Sequence, residues 1–156
     1  MTRLGALGLI VLAVTFPSGL AADDEKASPR DAARKDLEKL QGTWNLVGME
    51  VEGQTIPPEN IRGWNAVYEG DTLTLKVGTE VRRRGIETLD PSRNPKAINT
   101  WDLDGPYEDQ TVPGIYALEG DSLKLCFARP GSTRPTEFTT TRGTGFLYVV
   151  YERKKP

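Results

Sequence analysis

Arg82-Arg83-Arg84 forms the densest charge cluster of this 156-residue chain. Strand alternation sends Arg83 to the face of Val81 and Leu89, while Arg82 and Arg84 share the opposite face with Ile86. If the Val81–Leu89 face is the inward one, Arg83 enters the protein interior and needs a carboxylate partner or an anionic ligand. On a solvated edge it would instead pair with a neighbouring strand. Asp90, Asp102, Asp104 and Glu137 are candidates for the paired acid and base that hydrolyse sugars. Turn formation accounts for two of them without catalysis, since Asp90 precedes Pro91 and Asp104 precedes Gly105-Pro106. Asp102-Leu103-Asp104-Gly105 lacks the further ordered oxygens and late Glu of a calcium loop, so no metal site is expected. Arg134-Pro135-Thr136-Glu137-Phe138 reads as a structural corner, with Arg134 and Glu137 placed to pair across a turn or with neighbours. Trp64, Trp101, Tyr107 and Tyr116 are the aromatic candidates for a sugar or apolar platform, Trp64 and Trp101 at a mouth.

Other chemistries are removed by absence. The chain contains no histidine, which excludes Ser-His-Asp and Cys-His catalysis, histidine metal sites and a histidine pH switch together. Cys126 is the sole cysteine, so no intramolecular disulfide forms, and its setting in Leu123-Lys124-Leu125-Cys126-Phe127 is that of a packed strand residue. A formal net charge of −2 argues against nucleic acid as a partner. No catalytic residues and no cofactor are expected.

Residues 1–21 have the organisation of a secretory signal, with Arg3 in the basic region, an apolar stretch over 4–16 and Gly19-Leu20-Ala21 as the cleavage site. The expectation is export to the periplasm or beyond, with Ala22 the new N-terminus and no membrane attachment after cleavage. Residues 22–27 read as a disordered leader. The remainder, 28–156, is of a size for one domain. Ser28 is a good N-cap with Pro29 at the first helical position. Ala33, Leu37 and Leu40 then recur at helical spacing until Gly42, which predicts an amphipathic helix over Pro29 to Gln41. Its apolar stripe is narrow and suits a helix that covers one end of a larger core.

From Thr43 onward short β-branched and aromatic runs alternate with turn residues. Strands are expected at Thr43 to Val51, Ala66 to Glu69, Thr72 to Val77, Glu80 to Leu89, Ala97 to Leu103, Gly114 to Leu118, Ser122 to Phe127, Thr136 to Thr141 and Phe146 to Arg153. Hairpin turns are marked at Glu69-Gly70-Asp71 and Glu119-Gly120-Asp121. The first strand is apolar on both faces, Trp44 and Leu46 on one and Val47, Met49 and Val51 on the other, which fits a layer packed outside the sheet. So many short antiparallel strands in one small domain must hide their edges, and closure into a barrel is favoured over a sandwich.

Several ordered motifs resemble a lipocalin-like domain family abundant in planctomycete bacteria. They are Leu40-Gln41-Gly42-Thr43-Trp44, Leu89-Asp90-Pro91 with Pro95-Lys96-Ala97-Ile98, Gly114-Ile115-Tyr116, Leu123-Lys124-Leu125-Cys126, Arg134-Pro135-Thr136-Glu137-Phe138 and Tyr151-Glu152-Arg153. The resemblance implies an all-β fold with one N-terminal helix, a small antiparallel lipocalin-like barrel, and no assigned activity. By analogy with calycin barrels it implies that Trp44, entered through Gly42, plugs one end while Arg153 lies across its ring. Where the family pattern has a glycine after the Gly105-Pro106 loop, this chain has Tyr107-Glu108-Asp109-Gln110.

Two functions fit these readings. One is an exported, non-enzymatic barrel binding a small apolar, amphiphilic or anionic ligand, with Arg83, Trp64, Trp101 and Tyr116 as the expected contacts. The other is a structural or protein-interaction module of the cell envelope with a filled barrel. A hollow interior with a mouth separates the first from the second.

Overall fold

The computed structural model describes residues 28–155, so the signal and leader expected over 1–27 lie outside the described residues. The chain begins with helix α1, Pro29–Leu40, and continues through strand β1, Gly42–Val51, a two-residue strand β2, Gln54–Thr55, and one helical turn α2, Pro58–Ile61. Seven strands follow: β3 Trp64–Glu69, β4 Thr72–Val77, β5 Glu80–Asp90, β6 Lys96–Asp102, β7 Thr111–Glu119, β8 Ser122–Phe127 and β9 Leu147–Arg153. Consecutive strands from β3 to β9 pair antiparallel, and β1 pairs with both β3 and β9, so eight strands close on themselves while β2 only extends β1. The fold is a small all-β lipocalin-like barrel with one long helix at its N-terminal end.

Helix α1 starts where the sequence places it: the Ser28 hydroxyl accepts the Asp31 amide at 3.2 Å and Pro29 occupies the first turn. It ends one residue early, because Gln41 leaves helical geometry and clamps the β3–β4 turn instead. Its amide nitrogen donates to the carbonyls of Leu37 and Gly70, and its oxygen accepts the Gly70 amide, each at 2.8 Å. Gly42, at φ 106°, then turns the chain into β1.

Both expected hairpin turns are present, and Gly78-Thr79 makes a third of the same kind between β4 and β5. In each the first central residue is a glycine at positive φ, between 60° and 63°, the pattern of a type II′ turn. Gly-Thr is a weaker turn signal in sequence than Gly-Asp.

Two β-bulges correct the facial reading of the sequence. In β1 the register shifts between Leu46 and Gly48, which leaves Val47 outside at 44% exposure and returns Met49 to the interior with Trp44 and Leu46. The double-faced pattern of this strand therefore comes from a change of parity and not from an outer layer. In β5 a shift opposite Leu75 and Lys76 leaves Arg82 as the extra residue. Val81 pairs with Lys76 and points outward, whereas Arg83, Glu87 and Leu89 share the inner face.

The strand expected at Thr136 to Thr141 does not form. Residues 128–146 instead make an irregular strap over the outer face of β7, β8 and β9. The strap is fixed to β1 by Glu50, whose carboxylate accepts the Thr140 amide at 2.8 Å and hydroxyl at 2.7 Å. Glu52 accepts the amides of Gly143 and Gly145. Cys126 lies beneath the strap, fully buried, with its thiol directed at the Thr139 carbonyl at 3.7 Å.

Candidate functional site

One end of the barrel is sealed. Trp44 is fully buried, and its indole N–H donates to the Leu40 carbonyl at 2.7 Å. The Arg153 guanidinium lies 4.1 Å from the centre of the Trp44 ring. The same guanidinium donates to the carbonyls of Gln41 at 2.8 Å and Lys39 at 2.6 Å, and pairs with Asp121 at 3.1 Å. It thus latches the electronegative end of α1 to the last strand. On the inner face of α1, between Ala33 and Leu40, Asp36 enters the core and is 4% exposed. It accepts from Lys96 at 2.6 Å, the Tyr116 hydroxyl at 2.8 Å and Lys39 at 3.2 Å. Burial pushes the Asp36 carboxyl up, but these hydrogen bonds outweigh it and hold the group below its ordinary value.

The other end is hollow. A cavity of about 480 Å³ opens there, walled by Leu46 and Met49 of β1, Trp64 of β3, Leu75 of β4 and Leu147, Val149 and Tyr151 of β9. Ile56 and the short helix α2, through Ile61, form one side of its mouth, and Pro106 of the β6–β7 loop forms another. Ile56 is held in place by its amide, which donates to the Met49 carbonyl at 2.8 Å. Apart from Asn60, Arg82, Arg83 and the tyrosine, the wall is apolar. Its size falls within the range of small-molecule sites.

Arg83 stands at the floor of this cavity. Its Nε donates to Asp102 Oδ1 at 2.8 Å and its Nη2 contacts the same oxygen, so the needed counter-charge comes from the neighbouring strand β6. Asp102 has no exposed surface, and burial raises its carboxyl above the ordinary value against the opposing pull of Arg83. Glu87, two residues beyond the inward-facing Gly85, is also buried and accepts from the Thr100 hydroxyl at 3.1 Å. Desolvation pushes its carboxyl up to about 8. A methyl group at Gly85 would come within 2.5 Å of the Thr100 side chain, so glycine makes room for this polar cluster.

Of the residues singled out in the sequence, Trp64 and Arg83 meet at the cavity. Trp101 does not: it lies on the outer face of β6, 43% exposed, because inward positions of that strand belong to Ile98, Thr100 and Asp102. Tyr116 does not line the cavity either; it points inward at the sealed end and its hydroxyl is taken by Asp36. Arg134 does not pair with Glu137, which is exposed. It crosses the outside of β6 and β7 and donates to the carbonyls of Ile98 at 2.6 Å and Gly114 at 2.5 Å and to Asn99 Oδ1 at 2.7 Å. Asp90 caps its own turn through Ser92 and Arg93, and Asp104 accepts from Arg84, so both are occupied structurally. Among the described residues no group of three or more His, Cys, Asp or Glu is arranged to hold a metal, and no helix is long and apolar enough to cross a membrane.

Asp36 and Glu87 were missed in the sequence, yet a signal existed for each. Asp36 falls on the Ala33, Leu37, Leu40 stripe, and Glu87 shares parity with Arg83 and Leu89. A charged residue in an apolar register marks a buried partner.

The fold and cavity define a lipocalin-like β-barrel that is packed solid at one end and hollow at the other. Comparison with protein-family models, curated proteins and solved structures found no match, so the functional reading rests on this geometry.

Proposed function

We propose that the protein is an exported, non-enzymatic barrel that binds a small apolar or amphiphilic molecule in its open half. The observation that carries this reading is the apolar cavity of about 480 Å³ with a mouth framed by Ile56, Ile61 and Pro106. A protein selected only for stability would fill such a space, since cavities are destabilising in proportion to their volume. A binding role is favoured over catalysis because the usual nucleophiles and bases are missing: histidine is absent, and Cys126 lies on the outer face beneath the strap with its thiol pushed up to about 11. The proposal extends to membership of the planctomycete lipocalin-like domains, on the motifs given above, and to cleavage before Ala22.

The test is titration with a neutral apolar fluorophore, N-phenyl-1-naphthylamine. Wild type is expected to bind it in the micromolar range, and Leu75→Trp, which fills the cavity, is expected to abolish binding without loss of the cooperative melt. Absence of binding by wild type favours the structural or protein-interaction alternative. Mass analysis of exported protein is expected to find Ala22 as its first residue.

A further inference from the structure

Beneath the apolar vestibule lies a second space of about 40 Å³, enclosed by Tyr68, Arg83, Thr100 and Tyr151 together with apolar side chains. It shares Leu75, Arg83, Leu147, Val149 and Tyr151 with the larger cavity, so the two adjoin across these residues. The smaller space accommodates a group of about the size of a water molecule or hydroxyl.

Its polar atoms are incompletely used. Tyr68 is 1% exposed, and its hydroxyl has no hydrogen-bond partner. Arg83 directs Nε and Nη2 to a single oxygen of Asp102. The one other buried side-chain polar atom without a partner among the described residues, the acceptor Asp102 Oδ2, does not line this space. A buried hydroxyl left in the state of Tyr68 is unfavourable until something bonds to it. The charge count then restricts what can arrive. One guanidinium, Arg83, faces two buried carboxyl groups, Asp102 in contact with it and Glu87 on Thr100. The positive charge is already answered, so a further carboxylate would bring an uncompensated negative charge into a water-poor interior. An uncharged acceptor meets the Tyr68 hydroxyl without that cost.

We propose that the ligand enters head first and carries an uncharged hydrogen-bonding head group, an alcohol. The head occupies the chamber lined by Tyr68 and Arg83, and the apolar chain fills the vestibule. This rests on the cavity being a binding site, and it replaces the anionic ligand that Arg83 alone would imply.

Displacement of N-phenyl-1-naphthylamine by 1-decanol and by decanoate at neutral pH, in wild type and Tyr68→Phe, tests the assignment. In wild type decanol is expected to compete at least about tenfold better than decanoate. In Tyr68→Phe decanol weakens by about five- to tenfold, as for one lost hydrogen bond, while the fluorophore and decanoate bind as before. Removing an unpaired hydroxyl is expected to leave the melting temperature no lower than wild type, so the comparison is between folded proteins. Decanoate equal to or better than decanol overturns the proposal, as does a Tyr68→Phe variant that binds decanol unchanged. If wild type binds neither the fluorophore nor decanol, the cavity reading itself fails and the head-group assignment fails with it, an outcome distinct from the other two.

Discussion

Replacing Arg153 by methionine keeps the length of the side chain but removes the charge that latches α1 to the barrel. Four contacts are lost. The guanidinium 4.1 Å from the centre of the buried Trp44 ring contributes about 0.5–2 kcal/mol as a cation–π pair. The bonds to the Lys39 and Gln41 carbonyls, at 2.6 and 2.8 Å, each contribute about 1 kcal/mol once water is allowed to replace part of them at a site where the side chain is 30% exposed. The pair with Asp121, which is itself 62% exposed, adds about 0–1 kcal/mol. Arg153→Met should therefore cost about 2.5–5 kcal/mol, and Asp121→Asn, which removes only the last contact, less than about 1 kcal/mol. The assay is urea unfolding followed by tryptophan fluorescence, with stability taken by linear extrapolation. If Arg153→Met costs no more than Asp121→Asn, the helix is not latched by this residue and the reasoning is refuted. Trp44→Ala in the same assay should cost about 3–5 kcal/mol, because a fully buried ring is lost together with the surface on which Arg153 rests.

Glu87 should make stability depend on pH in an unusual direction. It holds its proton in the folded protein up to about pH 8, whereas its ordinary value is 4.5, so between these limits the native state binds one proton more than the unfolded chain. Stability accordingly falls as pH rises through that window, by up to about 1.4 kcal/mol per unit, and levels off above it. Denaturation midpoints from pH 5 to 9 are expected to show this slope in wild type and a flatter profile in Glu87→Gln; parallel profiles would remove the buried carboxyl as its cause. With no histidine in the chain, little else titrates there. Cys126, buried beneath the strap, should react with a disulfide reagent at pH 8 only after opening. Glu50→Ala, which frees Thr140, is expected to speed that reaction at least about tenfold by making local opening easier; an unchanged rate would show that the strap is held elsewhere.

Much of the barrel is legible along the chain because strand alternation and glycine turns are local properties. Thr72 to Val77 and Ser122 to Phe127 have the same bounds in the sequence reading and in the structure. Where the reading failed, the missing information was nonlocal. Pairing with β9 and β4 creates the bulges at Val47 and Arg82, and neither bulge leaves a mark in the composition of its own strand. The segment at Thr136 to Thr141 has the β-branched content of a strand, but the neighbouring β8 and β9 already pair with each other along their length, so no gap between them is left for it to join. Trp101 resembles a platform residue by type, yet parity with Ile86 puts it on the outside.

By itself the sequence determined the strand periodicity, the capped helix, the glycine-led turns and the absence of histidine chemistry. These follow from the chain's own covalent geometry and from which side chains prefer water. Only the tertiary structure decided that Arg83 is answered by Asp102, that Asp36 and Glu87 are buried, and that one end of the barrel is filled by Trp44 while the other stays hollow. Those outcomes depend on closure, which brings β1 against β9 and sets side chains more than a hundred residues apart in contact, as Arg153 is with Trp44.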